Sequence, residues 1–216
     1  MGVHILNEQN SILNQFLQEL RDVKVQNDQF RFQKNLERIG YIMAYEISKR
    51  LHYKKTVITT PLSDCEVELV EKPPVLATIL RAGLPLHIGL NYFFDKSPSG
   101  FVSAYRKNTS PTEFEIVVEY RATPSLQEET LIISDPMLAS GHSMFASYEA
   151  LLKNGIPKQT HVAAVIGSKQ GLEYVVNHFP KNTEFWIAAL DDELNDKSYI
   201  VPGLGDAGDL AYGNKL

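Results

Sequence analysis

The second half of the chain alternates short apolar runs with amphipathic segments. Runs rich in apolar and β-branched residues predict strands at 75–80, 102–105, 114–120, 130–134, 161–166 and 184–190. Apolar residues spaced at three or four positions predict helices at 84–94, 143–154 and 170–177. Repeated strand–helix units are typical of an α/β fold in which helices flank a parallel sheet.

The first part of the chain has a different pattern. Helical periodicity predicts helices from Ser11 to Leu20 and from Asp28 to Leu51, with Asp28 as the N-cap of the second. Residues 56–60 and 65–70 predict a hairpin. We therefore expect one domain, 1–216, with N-terminal helices and hairpin at 1–74, an α/β core at 75–190 and a C-terminal segment at 191–216. The polar turn between strands 102–105 and 114–120 predicts a projecting β-arm or lid.

Composition narrows the classes of function. Lys and Arg total 21 against 26 Asp and Glu, a formal charge of −5, and no basic cluster predicts a nucleic-acid partner. The single cysteine, Cys65, excludes an internal disulfide and a cysteine-based zinc site. No apolar run is long enough to cross a membrane, and the N-terminus lacks the shape of a signal peptide. A cytoplasmic protein without a membrane or nucleic-acid partner is the simplest expectation.

The most informative segment runs from Leu131 to Ser143. An apolar strand leads to Asp135, then to a loop of small residues, then to a helix that begins near Ser143. Loop amides and a helix N-terminus attract phosphate, and a carboxylate at the end of the strand can accept hydrogen bonds from ribose hydroxyls. The segment therefore suits a ribose 5-phosphate, although many strand–loop–helix units in α/β proteins bind no ligand.

A second segment, Tyr199 to Asp209, contains three glycines and one proline. This composition predicts neither a helix nor a central strand. Bare backbone of this kind can approach a flat ligand and match its edge with N–H and C=O groups. The alternative is a glycine-rich tail with no role in binding.

A third segment places Arg81 directly after the predicted strand 75–80. Ligands of α/β proteins bind at the carboxyl ends of strands. A guanidinium is always charged and can grip a diphosphate with two parallel hydrogen bonds. The alternative is that Arg81 caps the strand or pairs with a surface carboxylate.

The sequences of these segments resemble those of the uracil phosphoribosyltransferases, a branch of the type I phosphoribosyltransferase family. The matching motifs are Asp-Pro-Met-Leu-Ala-Ser-Gly from Asp135, Leu-Arg-Ala-Gly from Leu80 and Gly-Asp-Ala-Gly-Asp from Gly205. The resemblance is dense from about Leu80 to the end of the chain. It implies a type I phosphoribosyltransferase-like fold and transfer of ribose 5-phosphate from phosphoribosyl diphosphate (PRPP) to N1 of uracil, giving UMP and diphosphate.

The resemblance also assigns roles to residues. It implies Asp135, Arg81 and Asp206 as catalytic residues. The implied PRPP-binding residues are Arg81, Arg106, Asp135, Pro136, Met137, Leu138, Ala139, Ser140, Gly141, His142, Ser143 and Asp206. The implied uracil-binding residues are Ile200, Gly205, Asp206 and Ala207, the first, second and last of them through backbone groups. Mg²⁺ is expected on the PRPP diphosphate without a dedicated protein ligand. Family members are commonly homodimers or larger, and some relatives are activated by GTP, for which the sequence has no deciding motif.

Two positions depart from the family pattern. His142 stands where the family usually has glycine, and Leu210 stands where it usually has Arg or Lys. These changes leave open a weakened paralogue with altered base preference. Two more classes of protein stay open, namely a regulator of pyrimidine genes that binds RNA and an enzyme for purine bases. The acidic net charge disfavours the regulator, and the 199–209 segment disfavours the purine enzyme.

Overall fold

A twisted, mostly parallel sheet forms the centre of the computed structural model. The structure describes the backbone of residues 1–108 and 114–214, and it describes their side chains except those of 105–108 and 114–116. Its strands, within the described residues, are β1 (Gly2–Ile5), β4 (Val75–Leu80), β5 (Ser99–Asn108), β6 (Phe114–Ala122), β7 (Thr130–Ser134), β8 (Met137–Leu138), β9 (Gln159–Ser168) and β10 (Thr183–Asp191). Two hairpin-like pairs stand apart: β2 (Tyr53–Thr59) with β3 (Asp64–Val70), and β11 (Glu193–Leu194) with β12 (Ile200–Val201).

The strand order in the main sheet is β1-β10-β9-β7-β4-β5-β6, with β8 paired to β9. Neighbouring strands are parallel except β5 and β6, which are antiparallel. Strands β7, β9 and β10 are buried almost throughout, because helices cover both faces of the sheet. The predicted α/β fold with a parallel sheet is confirmed.

Two helical layers enclose the sheet. The helices are α1 (Leu13–Arg21), α2 (Gln29–Ser48), α3 (Gly83–Phe93), α4 (His142–Leu151), α5 (Lys169–His178) and α6 (Ala207–Tyr212). One core contains residues of α1, α2, α3 and α6, and the other contains residues of α4 and α5. The predicted N-cap of α2 is confirmed, since the side chain of Asp28 accepts a hydrogen bond from the N–H of Arg31 at 3.0 Å.

The C-terminal segment differs from the prediction for 199–209. Its first residues form the short strand β12, which is not central, but helix α6 begins at Ala207, so the exclusion of helix was wrong for the last residues. The side chain of Asp206 makes this helix possible. Its Oδ1 accepts hydrogen bonds from the N–H groups of Gly208 at 2.8 Å and Asp209 at 3.0 Å, which caps the first turn.

The N-terminal region holds the other departures. Strand β1 was not predicted, and it adds an edge to the main sheet by pairing in parallel with β10. The predicted hairpin is confirmed as β2–β3, and most of its side chains are exposed. Of the predicted β-arm, β5 and β6 pair as expected, whereas residues 109–113 lie outside the described residues. None of the helices in the described ranges is both long enough and apolar enough to cross a membrane.

Candidate active site

A cavity of about 680 Å³ opens at the carboxyl ends of β4 and β7. Three separate stretches of the chain supply most of its wall, namely 79–82 after β4, 135–144 after β7 and 197–208 near the C-terminus. Parallel strands β4 and β7 are hydrogen-bonded neighbours, so the residues that follow them meet at one edge of the sheet. The structure thus brings together the three segments that the sequence analysis singled out.

Asp135 lies at the point where β7 ends. Its backbone N–H donates to the carbonyl of Ala163 at 3.1 Å, and its side chain accepts from the N–H of Met137 at 3.2 Å. Burial raises the pKa of the Asp135 carboxyl to about 7, and the negative charge of Asp206 contributes in the same direction. The two carboxylates are therefore close enough to repel each other across the cavity.

The loop before α4 is shaped by Gly141 and fastened by Ser168. Gly141 has a φ of +81°, and a Cβ at this position would lie 2.9 Å from the carbonyl oxygen of Gly171. The hydroxyl of Ser168 donates to the carbonyl of Ala139 at 2.5 Å and accepts from the N–H of Gly171 at 2.8 Å. These contacts hold the loop against α5 and aim the N-terminus of α4 at the cavity.

Arg81 follows β4 through a cis peptide bond with Leu80. Its Nη2 donates to Asp209 Oδ1 at 3.1 Å and to the carbonyl of Gly213 at 3.5 Å. The side chain is 42% exposed, so a ligand in the cavity can reach it. The structure therefore contains both arrangements considered for Arg81, a carboxylate partner and a place at the cavity wall.

The predicted base-binding positions all line the cavity. Ile200 is buried, Gly205 has a φ of +97°, and Ala207 begins α6. Asp206 also lines the cavity, and its Oδ1 caps α6 in addition. The C-terminal segment is thus a wall of the site.

Some predicted positions lie elsewhere. Pro136 does not line the cavity, because it is buried with its carbonyl accepting from the N–H groups of Val165 and Ile166. His142 is exposed and stacks on Tyr174, with ring centroids 4.1 Å apart, outside the lining. The other predicted positions from Met137 to Ser143 line the cavity. The side chain of Arg106 lies outside the described residues.

The cavity wall also contains residues to which the sequence analysis assigned no role, some of them inside the recognised motifs. These are Ile79, Leu80, Ala82, Ser103, Ala104, Met144, Lys197, Ser198, Tyr199 and Gly208. Lys197 and Ser198 precede the recognised C-terminal motif, and only the fold places them beside it. The one signal in the sequence that could have indicated them was the cationic Lys197 just before the glycine-rich segment.

Two carboxylates line the cavity, and their chemistry fits a cation. Among the residues that the structure describes, no group of three or more His, Cys, Asp or Glu could hold a metal ion. The carboxylates of Asp135 and Asp206 nevertheless face one cavity, and their mutual repulsion would be relieved by a cation. Mg²⁺ suits such a place because it retains waters and substrate oxygens as ligands.

The fold is that of the type I phosphoribosyltransferases. The fold is similar to that of a hypoxanthine phosphoribosyltransferase from Staphylococcus aureus, with a TM-score of 0.50 at 13% identity, covering 86% of this chain and 84% of that one. It is also similar to the AQ2163 protein from Aquifex aeolicus, with a TM-score of 0.87 at 25% identity over 99% of both chains.

The sequence places the chain more narrowly within that class. The family model described as uracil phosphoribosyltransferase matches residues 7–214. A uracil phosphoribosyltransferase from Porphyromonas gingivalis is 51% identical over 216 residues, which is 100% of both chains. One from Pyrococcus furiosus is 39% identical over 97% of this chain and 89% of the relative. The chain belongs to the uracil phosphoribosyltransferase family, and the resemblance seen in its motifs is confirmed.

Proposed function

We propose that this chain transfers ribose 5-phosphate from PRPP to N1 of uracil, releasing UMP and diphosphate. The observation that carries the proposal is the single cavity in which the Arg81 loop, the Asp135 loop and the 200–208 segment meet. Each segment matches one part of the reaction, namely the leaving diphosphate, the ribose phosphate and the base. Family membership supports the same reaction.

At the ribose end, the site supplies hydrogen-bond donors for phosphate and an acceptor for hydroxyls. Gly141 is the N-cap of α4 and has no side chain with which to cap it, so the first turn of α4 offers its N–H groups to the 5-phosphate. Asp135 accepts hydrogen bonds from the ribose hydroxyls once its carboxyl is ionised. This arrangement fixes the ribose so that its anomeric carbon faces residues 199–209, here called the base segment.

At the diphosphate end, Arg81 neutralises the negative charge that develops as the leaving group departs. In the structure its guanidinium contacts Asp209, so diphosphate must exchange with that carboxylate or share the guanidinium with it. The transition state has oxocarbenium character, and charged groups held in fixed positions stabilise it. The reaction therefore needs no covalent intermediate. Arg106 is proposed as a second cation for the same group on the strength of its motif alone.

At the base end, backbone groups select uracil. Uracil presents two carbonyls and a donor N–H, which the peptide groups of Ile200, Gly205 and Ala207 would match. Asp206 uses Oδ1 to cap α6, and it lines the same cavity as Asp135. Cytosine carries an amino group in place of one carbonyl and would leave buried donors unpaired, which a hydrogen-bonding site rejects strongly.

Magnesium is proposed to enter with PRPP. When bound, Mg²⁺ supplies positive charge to the diphosphate. Asp135 and Asp206 line the same cavity, and they would hold the ion there by accepting hydrogen bonds from its waters.

The two departures from the family pattern are compatible with activity. His142 is the first residue of α4 and is absent from the residues with positive φ, so the position does not require glycine. Leu210 is partly buried and packs against the core that contains α2 and α6. Neither side chain lines the cavity. We therefore infer that both substitutions are tolerated.

We also infer a homodimer or larger assembly. The hairpin β2–β3 exposes Val57 at 66%, Leu62 in its turn at 96% and Leu69 at 47%. Apolar side chains grouped on one projecting element favour contact with another copy. Light scattering coupled to gel filtration gives the oligomeric mass directly, and the same measurement with added GTP tests an effect of that nucleotide on assembly.

The reaction is tested by measuring UMP formation from uracil and PRPP with Mg²⁺. Cytosine, hypoxanthine and orotate are run in parallel. We expect turnover with uracil alone, because the base segment presents backbone groups matched to its edge. Turnover with hypoxanthine instead would contradict the base assignment, and no turnover with any base in a folded protein would contradict the reaction.

A further inference from the structure

The base segment makes a sharp turn between two stretches of cavity wall. Ile200 lies before the turn and Gly205 after it, and both line the cavity. The turn contains a cis peptide bond at Pro202, followed by Gly203 with a φ of +57°. A Cβ on Gly203 would lie 2.1 Å from the carbonyl oxygen of Ile200, so only glycine fits. The position of this turn therefore sets the spacing between the two stretches of wall.

Both backbone groups of Gly203 are held by an ion pair outside the cavity. Its N–H donates to Asp191 Oδ2 at 2.9 Å, and its carbonyl accepts from Arg21 Nη1 at 2.9 Å. Arg21 and Asp191 also bind each other through two hydrogen bonds of 2.8 Å. Asp191 is buried at the end of β10, and Arg21 is the last residue of α1. The pair thus connects an N-terminal helix, the central sheet and the turn.

The neutral side chain of Gln26 holds Leu204, the residue that follows Gly203. Gln26 Nε2 donates to the carbonyl of Leu204 at 3.0 Å and to the carbonyl of Leu20 at 2.8 Å. The backbone from Gly203 to Leu204 is consequently fixed from the N-terminal side by two separate side chains. Arg21, Gln26 and Asp191 are all absent from the cavity lining, so these side chains act on a ligand only through the segment.

We propose that Arg21, paired with Asp191 and assisted by Gln26, is a positioning residue for uracil binding. The inference rests on the proposed base-binding role of the 200–207 segment. A guanidinium can serve the carboxylate and the Gly203 carbonyl together, because its donors form a rigid planar fork. An ammonium group at the same position has the charge without the fork. Loss of the fork lets the turn shift, and the backbone groups that face uracil move with it.

The test compares Arg21→Lys with a matched control, Arg31→Lys. Arg31 binds Glu19 through two hydrogen bonds of 2.8 and 2.6 Å, and this pair connects α1 to α2 without contacting the base segment. For Arg21→Lys we expect the KM for uracil to rise about tenfold and the KM for PRPP to change less than about twofold. For Arg31→Lys both KM values should stay within about twofold. Gln26→Leu, a milder change, should raise the KM for uracil about threefold.

A split between the two KM values distinguishes positioning from loss of stability. If Arg21→Lys and Gln26→Leu leave the KM for uracil unchanged, or raise both KM values equally, the positioning role is refuted. Ala207→Val, which places methyl groups in the cavity wall, tests the base segment separately. If only Ala207→Val raises the KM for uracil, the base assignment stands and the positioning role falls. If Arg21→Lys, Gln26→Leu and Ala207→Val all leave the KM for uracil unchanged, the base assignment and the positioning role are both refuted.

Discussion

Replacing Asp135 by asparagine should stabilise the protein and destroy its activity together. Burial, helped by the charge of Asp206, raises the pKa of the Asp135 carboxyl from 3.8 to about 7. Between these two values the folded chain binds a proton that the unfolded chain has released. The free energy of unfolding therefore falls as the pH rises from 3.8 to about 7, and it stays lower above that pH.

The size of the effect follows from the two pKa values. A tenfold difference in proton affinity is worth about 1.4 kcal/mol, so the gap between 3.8 and about 7 corresponds to ~4 kcal/mol at pH 8. Asp135 is partly open to solvent in the cavity, which reduces the cost of its charge, and we expect roughly 2 kcal/mol to remain. Asparagine keeps an oxygen that can accept from the N–H of Met137 and removes the charge.

Thermal unfolding at equal protein concentration checks this expectation. For a chain of this size, ~2 kcal/mol corresponds to a rise in Tm of about 4–8 °C at pH 8. At pH 5 the rise should be smaller, because the folded chain then keeps the proton on Asp135 and does not bury a charge. The same variant should lose most UMP formation, since an amide is a weaker acceptor for the ribose hydroxyls than a carboxylate.

Asp196→Asn controls for the change in net charge, since Asp196 is exposed and does not line the cavity. Its Tm should match that of the wild type at both pH values. A Tm for Asp135→Asn that does not exceed the wild type at pH 8, or a gain that is as large at pH 5, would refute the argument from burial. Full activity in Asp135→Asn would remove this residue from the catalytic site.

Three further substitutions test other parts of the structure. Arg81→Ala should raise the KM for PRPP far more than that for uracil in steady-state kinetics, and an unchanged KM for PRPP would contradict the diphosphate role. Gly141→Ala should weaken PRPP binding in calorimetry and lower the stability by about 1–3 kcal/mol, because φ is +81° and the new Cβ would lie 2.9 Å from the carbonyl oxygen of Gly171; wild-type affinity would count against the loop geometry. Asp28→Ala should cost about 1 kcal/mol in urea unfolding without changing kcat, since it removes the cap on Arg31, and equal stability would show that the cap contributes nothing.

The sequence could predict the strands that carry the site because they are buried on both faces. The predicted limits 75–80 and 130–134 match β4 and β7, whose apolar runs are ended by Arg81 and Asp135. Strand β1 was missed because four residues at an edge carry no periodic signal, and its pairing partner β10 lies about 180 positions away in the chain. Helix α6 was not predicted because the glycines in this segment disfavour a helix, and the N-cap that Asp206 provides was not recognised.

Sequence motifs predicted most of the cavity wall, but they could not predict contacts between residues that are far apart in the chain. The Arg81–Asp209 ion pair joins residues 128 positions apart, and nothing near either residue indicates the other. The same holds for Ser168 at the end of β9, whose hydroxyl fastens the loop before α4 by donating to the carbonyl of Ala139. A sequence motif shows which residues face a ligand, whereas the side chains that fix those residues come from whatever the fold places behind them.

The base segment illustrates this division most clearly, because distant parts of the chain hold both of its ends. Arg21 and Asp191 fix Gly203 at the turn, and Arg81 contacts Asp209 in helix α6. The first of these attachments comes from α1 and β10, and the second comes from the loop after β4. Diphosphate that displaces Asp209 from Arg81 would release the second attachment, and by reciprocity a bound base would then change the affinity for PRPP.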